Sequence, residues 1–325
     1  MQNKSAYRGG KRSVATRTFA DYRQNMKPGF ALETDALHLP MGAWARVQRR
    51  MLRRGGNPVL GLTQGRQRAY VYPLFTPAGF AVTSESPADH PHHNSLWIAA
   101  DHLHCRMPVG DDRYEEYTYN FYVDEVFQGR APGRLVETAF DFAVTGADGC
   151  RIDQTIEWRG PVEWAAPDGR SAAIEHRSLS VEYREGCYVL DVDSRLEGRD
   201  FDFSLGPTRH AYFNVRVAES MTVLNGGTVG DDQGGDGTTG VDARWINYEG
   251  PVGGGNRAGV VVLPHPRDHP QPSWFVTDWG VITVGPFRLN GRLVRKGDAL
   301  RARYRVLVYD GAMSAQEIQR SFVPD

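Results

Sequence analysis

Polar and apolar residues alternate along much of this chain. In the stretch RIDQTIEW, Ile152, Ile156 and Trp158 fall on one side, and Arg151, Asp153, Thr155 and Glu157 on the other. RARYRVLVY sets Arg301, Arg303 and Arg305 against Ala302, Tyr304 and Val306 in the same way. Successive side chains of a strand point to opposite faces, so a period of two marks half-buried strands with one face packed and one wet. From about Tyr70 onward the chain offers more such runs: YVYPLF, GFAVT, SLSVEY, YVLDVDSRL, FDFSL, AYFNVRVA, AGVVVLP and WFVTDWGVITV. Turn residues punctuate them, as expected of a sandwich or barrel.

Helix is scarce. WARVQRRML spaces Trp44, Val47, Met51 and Leu52 on one helical face, which predicts a short helix near the N-terminus. SAQEIQRSF offers Ser314 as an N-cap with Glu317 three residues on, the pattern of a capping box. NGGTVGDDQGGDGTTG carries too much glycine for a strand and reads as a loop bordering a cleft. Its Asp231, Asp232 and Asp236 do not have the spacing of an EF-hand. The tripeptide DHP occurs at Asp89–Pro91 and again at Asp268–Pro270, without a wider repeat around it.

Composition adds a division of the chain. Residues 1–54 hold twelve Lys and Arg against three acids, although the whole chain carries a formal charge of −1. A basic N-terminal extension with its short helix is therefore expected over residues 1–55, followed by one β domain over 56–325. No aromatic-interleaved basic module supports nucleic-acid binding, so the extension reads as a solvated leader. Cys105, Cys150 and Cys187 are odd in number and widely spaced, which argues for a reducing compartment. No apolar segment of about 7–15 residues follows the basic start, so no signal peptide is expected. No run of about 18 apolar residues suggests a membrane span. The expected location is cytoplasmic.

The densest chemistry is DHPHHNSLW, where Asp89, His90, His92 and His93 precede Asn94 and Trp97. In an extended segment His90 and His92 would point the same way. Two imidazoles on one face make half of a metal site, with His210, His102, His104 or His265 as a third ligand. A divalent metal is thus the one cofactor the sequence suggests, with His90, His92 and His210 as its candidate ligands. Acid–base chemistry needs no metal: neutral imidazole can give or take a proton near pH 7, and Asp89 could fix a tautomer. Crowding would lower the histidine pKa values, because neighbouring imidazolium charges repel. A third reading is a polar cluster that holds a loop beside Trp97.

TRHAYFNVRV places Arg209 and His210 before an aromatic strand that carries Tyr212 and Asn214. HAYFN resembles the histidine–aromatic–Phe–Asn motif of galactose mutarotases (aldose 1-epimerases). The resemblance implies a β-supersandwich, and a His210 that acts on a sugar ring oxygen as general acid. Two longer stretches, Tyr72 to Trp97 and Ala243 to Phe287, resemble a bacterial family labelled methane oxygenase PmoA-like. That similarity implies a β-sandwich whose relatives belong to sugar-catabolic gene sets. The sequence departs from that pattern after Trp97, where it reads IAADHLHCRMPVGDDRYEEYTYNFY, and in its basic extension.

The mutarotase likeness also asks for a late acid acting as base. Among Glu249, Asp278, Asp310 and Glu317, Asp278 between Trp274 and Trp279 is the choice, since Glu317 is spoken for as a cap. Glu175 and Arg177 could project into a cleft or form a surface ion pair. The aromatics Trp97, Tyr114, Tyr117, Tyr119, Tyr122, Tyr212, Trp245 and Trp274 could stack on a flat organic ligand.

These readings converge on an all-β, galactose-mutarotase-like supersandwich of two large antiparallel sheets. The expected function is a cytoplasmic enzyme acting on a small carbohydrate-like or cyclic oxygenated molecule by epimerisation, elimination or hydrolysis at a carbonyl or hemiacetal carbon. The catalytic set is His90, His92, His93, His210 and Asp278. Asp89, Asn94, Trp97, Glu175, Arg209, Tyr212, Trp245, His265 and Trp274 are expected to contact substrate. The alternatives are a histidine-ligated, metal-dependent oxygenase or lyase, and a sugar-binding sandwich without catalysis. The expected partner is a small-molecule substrate, not nucleic acid or membrane, with a homo-oligomer left open.

Overall fold

The computed structural model describes residues 29–33, 48–163, 166–236 and 242–321. It is all-β, built on two large sheets of eight strands each, with a smaller sheet of five. The first sheet runs in the order Phe30–Glu33, Gln48–Arg54, Asn57–Gln64, Ala69–Leu74, Leu96–Ala100, Ala211–Arg216, Val281–Val284 and Trp274–Val276. The second runs Thr228–Asp231, Ile246–Gly253, Asn256–Pro264, Ala299–Asp310, Cys187–Glu197, Ser171–Arg184, Gly149–Arg159 and Arg134–Gly146. Every pairing in these two sheets is antiparallel. The third contains Leu103–Pro108, Tyr114–Asn120 and Asp202–Leu205, and was not anticipated.

The alternation read from the sequence is what packs the sandwich. Ile152, Ile156 and Trp158 enter the same core as Ile98, Phe213 and Val215 of the first sheet. Phe213 stacks on Tyr304 across that core, with ring centroids 4.2 Å apart. The opposite face of the second sheet is charged. There Arg151 binds Asp153, Arg301 binds Asp193, Arg303 binds Asp268 and Arg305 binds Asp191.

Three local expectations meet different outcomes. The capping box forms as read: Ser314 and Glu317 bond reciprocally at the start of the helix Ala315–Arg320. The helix expected over 44–52 does not form where the chain is described, because Gln48–Arg54 is a strand of the first sheet. Its arginines find partners across the sheets that an isolated helix would lack. Arg49 bonds Thr63 and Glu85, Arg50 bonds Glu137, and Arg54 lies over the Tyr183 ring. The division expected after residue 55 falls in the turn to the next strand, Asn57–Gln64. Finally, WFVTDWGVITV is two short strands around a turn at 277–280, where Gly280 takes φ +102°.

One charged group sits in the middle of the apolar core. The Glu175 side chain is fully buried, and Arg177 grips both its oxygens at 2.8 and 2.9 Å. Trp158 Nε1 and Ser194 Oγ donate to the same carboxylate, and Arg177 also donates to the carbonyl of Ala69 in the first sheet. Removing one partner of a buried ion pair leaves an uncompensated charge. We therefore expect Glu175→Ala to lose about 3–5 kcal/mol of stability in urea unfolding, and Glu175→Ala/Arg177→Met to recover part of it. A loss under about 1 kcal/mol for the single variant would refute this account of the core.

Candidate active site

The site is built on the face of the first sheet that points away from the core. Leu96, Ile98 and Ala100 face inward, while Trp97 and Ala99 join Tyr70, Tyr122 and Val281 in a separate outer cluster. The loop carrying the histidines lies against this cluster. It does not run extended. The backbone N–H groups of His90 and His93 donate to Pro87 and His90 at 3.1 and 2.9 Å, so the segment winds through tight turns. As a result His90 stacks on His93 at 4.8 Å and 18°, whereas His90 and His92 meet edge-on at 5.7 Å and 72°. Pro91 stiffens a turn here, not a strand.

Two buried arginines hold the loop in place. Arg68 donates to the His92 carbonyl, to Asn94 Oδ1 and to the Tyr122 carbonyl. Arg216, which follows Asn214 on the outer face of its strand, donates to both oxygens of Asp89 at 2.8 and 3.0 Å. Asp89 in turn lies 2.9 Å from His90 Nδ1. An ionised carboxylate only accepts, so His90 donates from Nδ1, and in the neutral ring Nε2 is left as a lone pair.

A second carboxylate-backed imidazole stands at the end of the neighbouring strand. Ala211 pairs with Ala100, which brings residue 210 beside residue 101. His210 Nδ1 lies 3.1 Å from Asp101 Oδ2, and Thr208 and Arg130 also donate to Asp101. His210 Nε2 accepts from Arg209 Nε at 3.2 Å. Tyr122 stacks on His210 at 5.1 Å, and Trp279 stacks on His90 at 4.3 Å and 6°. Phe275 completes the aromatic rim, under the Arg209 guanidinium.

The expected crowding effect is present. Burial, followed by the charge of Arg68, lowers the His92 pKa to about 4. Burial and the adjacent His92 and His90 rings push His93 lower still. Both rings are therefore neutral at pH 7. Burial alone would raise the Asp89 and Asp101 carboxyls. Hydrogen bonds from His90 and Arg216, and from His210 and Thr208, outweigh it and hold both below the usual range.

The arrangement does not fit a metal. Among the described residues no group of three or more His, Cys, Asp or Glu is placed to hold an ion. Of the expected ligands, His210 has both nitrogens engaged, with Asp101 and Arg209, while His90 bonds Asp89 through Nδ1 alone. Of the other suggested third ligands, His102 adjoins Asp101, His104 bonds Thr118 and His265 lies in a turn against Arg303.

Of the expected site residues, Asp89, His90, His92, His93, Asn94, Trp97, Arg209 and His210 come together. Several others do not. Glu175 and Tyr212 are buried in the sandwich core, linked through Ser194. Trp245 packs with Ile318 under the C-terminal helix. Trp274 is fully buried, with Nε1 on the carbonyl of Ala243. Asp278 lies in the turn beside Trp279, its carbonyl accepting from Tyr248 Oη and Val223 N. Asp101, Phe275, Trp279, Arg68 and Arg216 were not anticipated. Asp101 had a signal available: it follows an apolar strand that could pair with the strand after His210.

A histidine held neutral in the fold has a pKa below its unfolded value, so the unfolded chain binds more protons as the pH falls. Stability carried by His92 and His93 is complete above about pH 6.5 and is lost as the pH drops towards 4. Urea midpoints for wild type and His93→Phe at pH 7 and pH 5 should show a smaller acid loss in the variant. Equal losses would remove His93 from the account.

No curated protein matches the sequence. Solved structures that match include the Slr1438 protein from Synechocystis sp. PCC 6803, at 13% identity over 87% of this chain and 97% of that one, with a TM-score of 0.35. Another is a "putative mutarotase (YeaD)" from Salmonella typhimurium, at 9% identity over 83% and 95%, with a TM-score of 0.34. The family that matches spans residues 51–323 and includes the whole histidine site. It is described as a family of unknown function, and nothing in the match supports the methane oxygenase PmoA-like label. The chain belongs to this family of unknown function, DUF6807.

Proposed function

We propose that this chain is an enzyme that moves protons at the hemiacetal or carbonyl carbon of a small carbohydrate-like substrate. The observation that carries the reading is a pair of imidazoles on one sheet face, each backed by its own carboxylate: His90 by Asp89 and His210 by Asp101. Ring opening of a cyclic sugar needs both a base and an acid. The base takes the proton of the anomeric hydroxyl as its C=O bond forms. The acid delivers a proton to the ring oxygen as the carbon–oxygen bond breaks. His90 Nε2 suits the first role. His210 suits the second once it is protonated at Nε2 in place of the Arg209 contact, with Asp101 balancing the imidazolium charge. The resemblance of HAYFN to the mutarotase motif agrees with this role for His210. Tyr122, Phe275 and Trp279 would take the apolar face of the sugar.

Anomer interconversion of aldoses and uronates, followed by exchange NMR, tests the reading. His210→Ala should reduce kcat by about 10²- to 10⁴-fold with a smaller change in KM. Asp101→Asn should also slow turnover, because it changes which nitrogen carries the proton. Sugar binding by wild type without any His210-dependent interconversion would favour a binding module instead.

A further inference from the structure

We infer that the molecule taken by this site carries a carboxylate gripped by Arg209, so that it is an acidic sugar and not a neutral one. This rests on the site being the sugar-handling centre proposed above. Arg209 is exposed, yet two contacts hold it in place: its Nε donates to His210 Nε2 at 3.2 Å, and its guanidinium lies 5.2 Å from the centre of the Phe275 ring. Fixing so long a side chain at a surface has an entropic cost. Its two terminal nitrogens make no hydrogen bond or ion pair among the described residues.

The two carboxylates that back the imidazoles are committed elsewhere. Asp89 is held by Arg216 and His90, and Asp101 by Arg130, Thr208 and His210. Of the other arginines, Arg68 is held by carbonyls and Asn94, and Arg216 is on Asp89. Arg209 is thus a positioned cation that lacks an anion among the described residues.

The shape of the vacant fork indicates which anion. Two parallel N–H groups of one guanidinium match the two oxygens of a carboxylate. The placement indicates where on the substrate it sits. Arg209 touches the nitrogen of His210 that would serve the ring oxygen. In a cyclic uronic acid the carboxylate is borne by the carbon attached to that ring oxygen. A guanidinium beside the imidazole and a carboxylate beside the ring oxygen are therefore matched in position.

Calorimetric titration of the full chain with D-galacturonate, D-glucuronate and D-galactose tests this. At least one uronate should bind about tenfold or more tightly than galactose, and Arg209→Met should abolish that preference. Added salt should weaken uronate binding, and Arg209→Lys should restore only part of it, since an ammonium lacks the fork. Galactose binding as tightly as both uronates would overturn the inference. So would a uronate affinity unchanged in Arg209→Met, or inorganic phosphate binding in preference to both. The two readings fail differently. Arg209-dependent uronate binding without His210-dependent interconversion would sink the enzyme and leave the carboxylate grip. Equal, His210-dependent turnover of galactose and uronates would do the reverse.

Discussion

A carboxylate buried between two apolar sheets constrains everything around it. Glu175 is tolerable there only because Arg177, Trp158 and Ser194 supply donors to both its oxygens. That set of bonds joins the layers: Arg177 reaches the Ala69 carbonyl, and Ser194 meets the Tyr212 hydroxyl at 2.8 Å. Tyr212 belongs to the strand that begins just after His210 and carries Asn214 and Arg216 outward. The inner network therefore anchors the strand on which the outer site is built. A buried ion pair adds little net stability compared with a well-packed apolar core. Its value here is positional.

The first sheet then works on both faces. Phe213 and Val215 pack inward, while Asn214 and Arg216 point outward to Thr283 and Asp89. A one-residue slip would exchange these faces. The outer face is also where polar residues are buried, because loops cover it. Burial there keeps His92 and His93 neutral, while His90 and His210, nearer solvent, each keep a carboxylate partner. One cluster of imidazoles thus separates into buried neutral rings and rings that each bond a carboxylate.

Much of this was legible beforehand. Alternation marked the long strands because their two faces meet different solvents, and the capping box at Ser314 is purely local chemistry. DHPHH and HAYFN, singled out for their chemistry, meet on the outer face of the first sheet. The failures share a cause: they depend on partners distant in sequence. The arginines of Gln48–Arg54 look like one face of a helix until Glu85, Glu137 and Tyr183 arrive from elsewhere. His90 and His92 would align in an extended segment, but Arg68 and Arg216 fold that segment into turns. Glu175 read as a cleft or surface acid because no local pattern announces a buried carboxylate whose donors come from several strands. Asp101 escaped notice because its role exists only once two strands are in register.

The charged face of the second sheet has a different consequence. Arg151, Arg301, Arg303 and Arg305 each lie within hydrogen-bond distance of an aspartate. Such pairs act as short dipoles, whose fields fade faster than those of separate charges. At physiological salt, where screening sets in over about 8 Å, that face is almost silent to an ion approaching from a distance. Despite its many charges, it can do little to steer a diffusing anion or cation.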